Sequence, residues 1–270
     1  MQTMHRPSPQ SGVDIFESKP VVSSNRRAPD WLLEMSCEAY RRAVRVFDHL
    51  PLFQKYCALP QLMHHQPETV ERYLEFADPK LPVLWFMPEG VTILHLVNLG
   101  LQHTWWRGDL DVSGTPTYDP NGTSIRSMED GKHAIDSSHR GGYWVLWQPR
   151  LLPLSEHATL QEQRWLMSQF ARLLKIPPKE VVLGDLAEQA VLWVQARAEK
   201  LISNFDFHSV RTDAGYRKEL IHGDGLRASD VSCGIGYVSR GPNVDDCALE
   251  VTDYGNSVRI TGLGISPIVI

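Results

Sequence analysis

The chain has 270 residues, 42% of them hydrophobic and 22% charged, and its formal net charge is -5. This size and composition suit one large globular domain or two small ones, with an ample core that needs no disulfides. The negative charge argues against general nucleic-acid binding, which usually depends on a basic surface. No apolar run approaches the ~20 residues that span a bilayer, so we expect no membrane span.

Residues 1–28 are rich in serine, proline and arginine and show no hydrophobic periodicity. Such a segment buries too little apolar area to offset its ordering entropy, so we predict a flexible arm ahead of a single domain over 29–270. The alternative is an arm that docks on a partner. The arm also lacks the apolar stretch of a secretory signal, which favours a cytoplasmic location over export, unless export uses a route without such a signal.

Helical periodicity follows the arm. Pro29-Asp30 suits a first helical turn, and apolar residues then recur every three or four positions as far as Leu50. Pro51 restarts a short helix, and Pro67 starts another with an apolar stripe that reaches Phe76. The part of the chain between the arm and residue 80 is therefore predicted to be helical.

The pattern changes to strands at Leu81. The stretches LPVLWFM, VTILHLVNL, LQHTWW and GGYWVLWQP are each typical of a strand. Between the last two lies a polar stretch over 107–142, which is long for a connection in a compact domain. Long loops of this kind are often functional.

Two helices with N-terminal capping signals come next, over about 159–175 and about 185–204. The first begins with the spacing of a capping box, Thr159 three positions before Glu162, and the second begins with an acid suited to the N-cap position. These caps are Thr159 and Asp185.

Strand patterns return over about 217–270 and complete the order helices, strands, helices, strands. Because β-α-β alternation is missing, we predict an α+β fold rather than a doubly wound one. In it, antiparallel or mixed sheet regions at about 81–150 and 217–270 pack with the two central helices. A sub-boundary within the domain is placed near 150–158.

Familiar catalytic and cofactor signatures are missing from the sequence. It contains no P-loop, no dinucleotide-binding glycine motif, no zinc-protease motif and no nucleophile elbow. The cysteines show neither zinc nor disulfide spacing. We interpret Cys37 and Cys57 as buried thiols on helices, and Cys233 and Cys247 as able to meet across a hairpin. Neither a cofactor nor a metal is therefore expected.

The aromatic residues supply the main binding candidates. Trp105 and Trp106 are neighbours on a predicted strand, so their side chains should point to opposite faces. One would be buried, and the other would offer a stacking surface beside Arg107. Trp144 is a further candidate on a strand, and His133 is one in the long loop. The alternative is that the helices cover these side chains.

Four residues are weaker candidates for catalysis. His139 and Arg140 lie in the long loop just before a glycine pair, where they could frame an active site or simply border a hinge. His222 and Asp224 form an H-x-D pattern, which on an extended chain places both side chains on one face. The alternative for Asp224 is an ordinary turn with the glycine that follows it.

These observations favour a non-enzymatic binding or regulatory protein. It would engage a partner through an aromatic sheet face and the long polar loop, with a protein partner expected first and a small ligand as the other option. The alternative is an enzyme of unrecognised family, a hydrolase or transferase that uses His, Asp and Arg groups.

Overall fold

The structure, a computed structural model, describes the chain in segments. The described residues are 28–48, 66–91, 96, 103–110, 116–118, 126–127, 142–201, 209–222, 225–239, 247–257, 259 and 263–270. Within them, the side chains at 103–127, 214–233 and 236–255 are left out. The arm predicted for 1–28 and the short helix predicted after Pro51 lie outside the described residues, apart from residue 28.

Helices form where the periodicity predicts them. Each has a buried apolar side, and α1 and α2 begin at or beside a proline, which suits the first turn. Within the described residues, four helices have defined bounds: α1 (Asp30–Phe47), α2 (Pro67–Phe76), α3 (Leu160–Leu174) and α4 (Leu186–Ala198).

The capping box predicted at Thr159 is confirmed, and the predicted N-cap Asp185 also forms a capping box. The Thr159 hydroxyl and the Asp185 carboxylate each accept the backbone N–H three residues ahead, while the glutamate at that position accepts the N–H of the cap. The helix α4 nevertheless ends six residues before the predicted end at 204. Lys200 adopts a left-handed conformation, and the Leu201 N–H donates to the Ala196 carbonyl, which closes the helix.

The described strands form two sheets, and their bounds are β1 (Leu84–Met87), β2 (His103–Leu110), β3 (Pro116–Tyr118), β4 (Arg126–Ser127), β5 (Tyr143–Leu146), β6 (Val181–Val182), β7 (Ser209–His222), β8 (Gly225–Ser239), β9 (Cys247–Gly255), β10 (Leu263–Gly264) and β11 (Ile268–Val269). The smaller sheet has the antiparallel order β1-β5-β11-β6. The larger has the order β10-β7-β8-β9-β2-β3, with β4 paired to β7 and two parallel pairs, β10 with β7 and β2 with β9. The predicted α+β class with mixed sheets is confirmed.

The smaller sheet is buried on both faces. Every residue of β1 is buried, and so is every residue of β5 after Tyr143. Aromatic rings pack edge to face across it, with centroids 5.4 Å apart for Trp85 and Trp147 and 5.0 Å apart for Phe86 and Trp144. These contacts place the tryptophans of this sheet at the centre of the core.

Three expectations about local structure are wrong. The stretch 107–142, predicted as a long polar loop, contains the end of β2 and the strands β3 and β4. A strand was expected over VTILHLVNL, but Leu96 is helical and fully buried; a continuous apolar run does not by itself distinguish a buried strand from a buried helix. Cys37 lies on α1 as expected, but it is half-buried rather than buried.

The sheet register also excludes a bond between Cys233 and Cys247. Cys233 is paired with Asp253, whereas Cys247 is paired with Ser239, so the two cysteines are six positions apart along neighbouring strands. Six strand residues span roughly 20 Å, far beyond the ~7 Å between Cα atoms that a disulfide tolerates.

Gly184, just before α4, has to be glycine for two reasons. Its φ is +75°, and a Cβ added there would lie 2.4 Å from Cδ1 of the buried Ile268. We expect Gly184→Ala to lower the free energy of unfolding by about 1–3 kcal/mol in chemical denaturation.

A double variant separates the two causes. Ile268→Val removes the Cδ1 atom, so Gly184→Ala should cost less in that background than in the native chain. If the cost is the same in both backgrounds, the backbone conformation alone explains it and the predicted steric conflict is wrong.

The helices give no sign of a membrane span. Across the described segments, none combines the length and the apolar character that crossing a bilayer requires.

Candidate ligand-binding site

The structure places only part of the site predicted from the sequence. Trp105, Trp106 and Arg107 lie on β2, whose backbone pairs with β9 on one side and β3 on the other; their side chains are not among those described. His133 and the pair at 139–140 lie outside the described residues. Their predicted roles stay predictions.

The H-x-D pattern falls at the connection between two strands. His222 is the last residue of β7 and pairs with Gly225, the first residue of β8. Asp224 lies outside the described residues. The extended chain on which the H-x-D prediction rests is described only as far as His222, so the roles of His222 and Asp224 stay predictions.

Trp144 requires a correction. It was predicted to offer a surface for stacking, but only 1% of it is exposed, and its ring packs against Phe86. The alternation of a strand distinguishes an inner from an outer face only when one face meets solvent, and both faces of β5 are covered. Trp144 is therefore a core residue.

A cavity of about 270 Å³ opens elsewhere, between α2, α3 and the segment 148–153; we call it the α2–α3 pocket. α2 contributes Tyr73 and Phe76, and α3 contributes Leu166 and Phe170. These residues lie on the apolar stripes of their helices, at spacings of three and four. Tyr73 and Phe170 pack edge to face, with ring centroids 5.8 Å apart, so the two helices meet inside the pocket.

The third wall, residues 148–153, is fixed by hydrogen bonds to neighbouring backbone groups. The Gln148 side chain accepts the N–H of Asp78 at 2.9 Å and donates to the Asp78 carbonyl at 3.0 Å, which ties the wall to the end of α2. On the other side, the Leu152 N–H donates to the Ile265 carbonyl at 2.7 Å. The wall is therefore held on one side to the end of α2 and on the other to Ile265, and such fixed walls are typical of a preformed site.

Gly264 allows this wall to pack closely. A Cβ at Gly264 would lie 2.7 Å from Cδ1 of Leu151, which lines the pocket, and 2.9 Å from the Ser155 hydroxyl. A larger residue at 264 would push Leu151 toward the cavity.

Two apolar side chains remain exposed at the pocket mouth. Phe76 is 45% exposed and Leu173 is 55% exposed, although both belong to helical stripes that otherwise face the core. The sequence pattern predicted burial for them and so missed the pocket. The signal that identifies it is structural: apolar stripe residues that no neighbouring element covers.

Two polar groups stand out among the lining residues, Tyr73 and Arg150. Burial raises the pKa of the Tyr73 phenol well above its ordinary value, and the positive charge of Arg150 partly opposes this rise. The phenol is therefore neutral at any physiological pH, and Arg150 lies close enough for its charge to act on it.

A separate group of acids lies at the start of α4. The Glu188 carboxylate accepts the Asp185 N–H and the Tyr143 hydroxyl, and the Glu188 N–H donates to Asp185 at 2.6 Å. Burial, the charge of Glu188 and the charge of Asp213 raise the pKa of Asp185 to about 8, although N–H donors at the helix start lower it in part.

These acids have a structural role in the capping box. Among the described residues, no group of three or more His, Cys, Asp or Glu side chains is arranged to hold a metal ion. Backbone N–H groups at the start of α4 and the Tyr143 hydroxyl donate to these carboxyl groups.

The α2–α3 pocket is lined mainly by apolar side chains. Its described lining residues include no histidine, cysteine or carboxylate, so a nucleophile with its base cannot be assembled from them. A role for the pocket rests on these residues themselves, because no protein-family model, no curated protein and no solved structure matches the chain.

Proposed function

We propose that the chain is a binding protein whose α2–α3 pocket holds a small, largely apolar molecule. The observation that carries the proposal is the cavity of about 270 Å³, with exposed Phe76 and Leu173 at its mouth. Covering exposed apolar side chains at the border of a concave site is favourable, so a ligand that covers them binds more tightly. The absence of histidine, cysteine and carboxylate from the described lining favours binding over the enzymatic alternative.

The volume sets the size of the ligand. A cavity of roughly 150 Å³ lined by apolar residues can hold benzene, so a cavity of about 270 Å³ suits a body closer to two fused rings or a chain of medium length. Cofactors of nucleotide size exceed it. Small ligands of this kind are the second option that the sequence left open.

The finer predictions from the sequence remain proposals beside this one. A protein partner on the face that carries Trp105 and Trp106 is compatible with a ligand in the α2–α3 pocket. That face belongs to β2, which contributes no described residue to the pocket. A cytoplasmic location likewise stays a prediction from the N-terminal composition.

The test uses a neutral fluorescent probe, N-phenyl-1-naphthylamine, titrated against the full-length protein. We expect saturable binding, seen as a rise and blue shift of probe emission as the dye enters an apolar site. Leu166→Trp, which fills part of the cavity, should weaken binding about 10-fold or more, because it removes the space that the probe occupies.

The matched control is Leu74→Trp. Leu74 is 42% exposed on α2 and is not among the lining residues, so the same new side chain there should leave probe affinity unchanged. Thermal melts of both variants verify the fold. An absence of saturable binding, or equal affinity in the Leu166→Trp protein and the native protein, would refute the proposal.

A further inference from the structure

Most polar groups that line the α2–α3 pocket already have hydrogen-bond partners within the protein. The Gln148 amide is engaged with Asp78 and with the Leu81 carbonyl, and the Ser266 hydroxyl donates to the Gln148 carbonyl at 2.8 Å. The Gln169 amide contacts Ser168 and Arg172 on its own helix. These groups gain little by turning toward a ligand.

Arg150 differs from them. Within the described part of the chain, no hydrogen bond or ion pair engages its guanidinium, whereas its backbone N–H donates to the Gln148 carbonyl. The side chain is half-buried and lines the cavity. A guanidinium in this position holds five N–H donors and a full positive charge at the edge of an apolar site.

Carboxylates are the usual partners of arginine, but none is among the described residues that line this cavity. The charge of Arg150 acts on the neutral phenol of Tyr73, which also lines the cavity. An anion that enters the pocket would therefore meet the positive charge of Arg150 with no competing carboxylate among the described lining residues. Partial removal from water strengthens that attraction.

We infer that the α2–α3 pocket selects a small amphipathic carboxylate, whose carboxylate binds Arg150 and whose apolar body lies against Phe76, Phe170 and Leu173. This inference rests on the proposed function, since it names the ligand class of the same pocket. A single guanidinium matches one carboxylate in a planar, two-point arrangement. A dianionic phosphate would need further donors, and the described lining supplies no lysine and no second arginine.

The test compares two compounds of matched shape, 2-naphthoate and 2-naphthalenemethanol, at pH 7.5 by displacement of N-phenyl-1-naphthylamine. In the native protein the carboxylate should bind about 10-fold more tightly than the alcohol, because hydrogen bonds to a charged partner are the stronger ones. 2-Naphthylmethylamine, which is a cation, should bind more weakly than the alcohol.

Arg150→Gln should remove the preference for the carboxylate, so that 2-naphthoate and the alcohol bind the variant with similar affinity. Arg150→Lys keeps the charge without the planar fork and should retain part of the preference. A rise in salt concentration should weaken binding of the carboxylate more than binding of the alcohol. Thermal melts of both variants serve as the folding control.

The outcomes separate this inference from the proposed function. If the probe and the alcohol bind but the carboxylate gains nothing, or keeps its advantage in Arg150→Gln, the inference is overturned while binding by the pocket stands. If the probe binds saturably but none of the three compounds displaces it, the inference is overturned while binding by the pocket stands; if the probe itself does not bind, both fail.

Discussion

Val194→Asp is expected to abolish the accumulation of folded protein. Val194 is 8% exposed on α4, a helix on which ten of thirteen residues are buried. The helix contacts α1, β1, β7 and β8, so it is enclosed by both helices and strands. An aspartate there would lose apolar burial and place an unpaired charge in the core.

The cost should exceed about 4 kcal/mol, which is a large part of the ~5–15 kcal/mol by which most domains are stable. The measurement is the yield of soluble protein, followed by circular dichroism of any material recovered.

Ala198→Asp is the matched control for this substitution. It introduces the same residue at an exposed position on the same helix, where the acid meets only the weak unfavourable effect of a helix C-terminus. It should fold and lose less than about 1 kcal/mol. A normally folded Val194→Asp protein would show that the Val194 side chain is not enclosed in the core.

The helices could be predicted from the sequence because their signals are local. A capping box needs only two residues three positions apart, and the boxes at Thr159 and Asp185 form as the pattern indicates. Apolar spacing likewise identifies one face of α1 and α2 without any knowledge of the partner. The early end of α4 was not predictable in this way, because Lys200 adopts a left-handed conformation that propensity disfavours.

The sequence left the burial of Trp144 open as an alternative, because it depends on what covers each face of the sheet. The alternation along β5 predicts that neighbouring side chains point to opposite faces of the sheet. It does not predict whether the second face meets solvent or a helix. The helical state of Leu96 has a similar origin, since a run of apolar residues fits a buried helix or a buried strand equally well.

The α2–α3 pocket is a property of three segments together. Phe76 and Leu173 sit on apolar stripes whose partners lie far along the chain, and only the assembled structure shows that no neighbouring element covers them. Arg150 gave no signal either, because a lone arginine in a connection is usually solvated. Its significance depends on the lack of a described partner and on its position at the cavity.

Asp185→Asn should make the protein more stable relative to the native chain as the pH rises from 5 to 8. Burial, with the charges of Glu188 and Asp213, raises the pKa of Asp185 to about 8. In the unfolded chain the pKa is about 3.9, so between about pH 4 and pH 8 the folded state holds a proton that the unfolded state has lost. The stability contributed by protonated Asp185 is therefore complete below pH 4 and is lost as the pH rises to about 8.

Linkage gives the size of the effect as about 1.4 kcal/mol per pH unit within this window. Asparagine does not ionise and is as good an N-cap as aspartate, so the difference in the free energy of unfolding between variant and native protein should grow by roughly 2–4 kcal/mol from pH 5 to pH 8. Urea denaturation at several pH values measures it, and taking the difference cancels the titration of all other groups that the substitution leaves unperturbed.

Asp185→Ala separates the charge from the cap. It also removes the ionisable group, so its stability relative to the native chain should rise with pH at the same slope, but from a starting point about 1 kcal/mol lower because the Glu188 N–H loses its acceptor. Parallel slopes with this offset would locate the pH dependence in the Asp185 carboxyl and the offset in the hydrogen bond. Flat differences for both variants across pH 5–8 would mean that Asp185 is ionised in the folded protein already at pH 5, so that the N–H donors of α4 outweigh burial and the neighbouring charges.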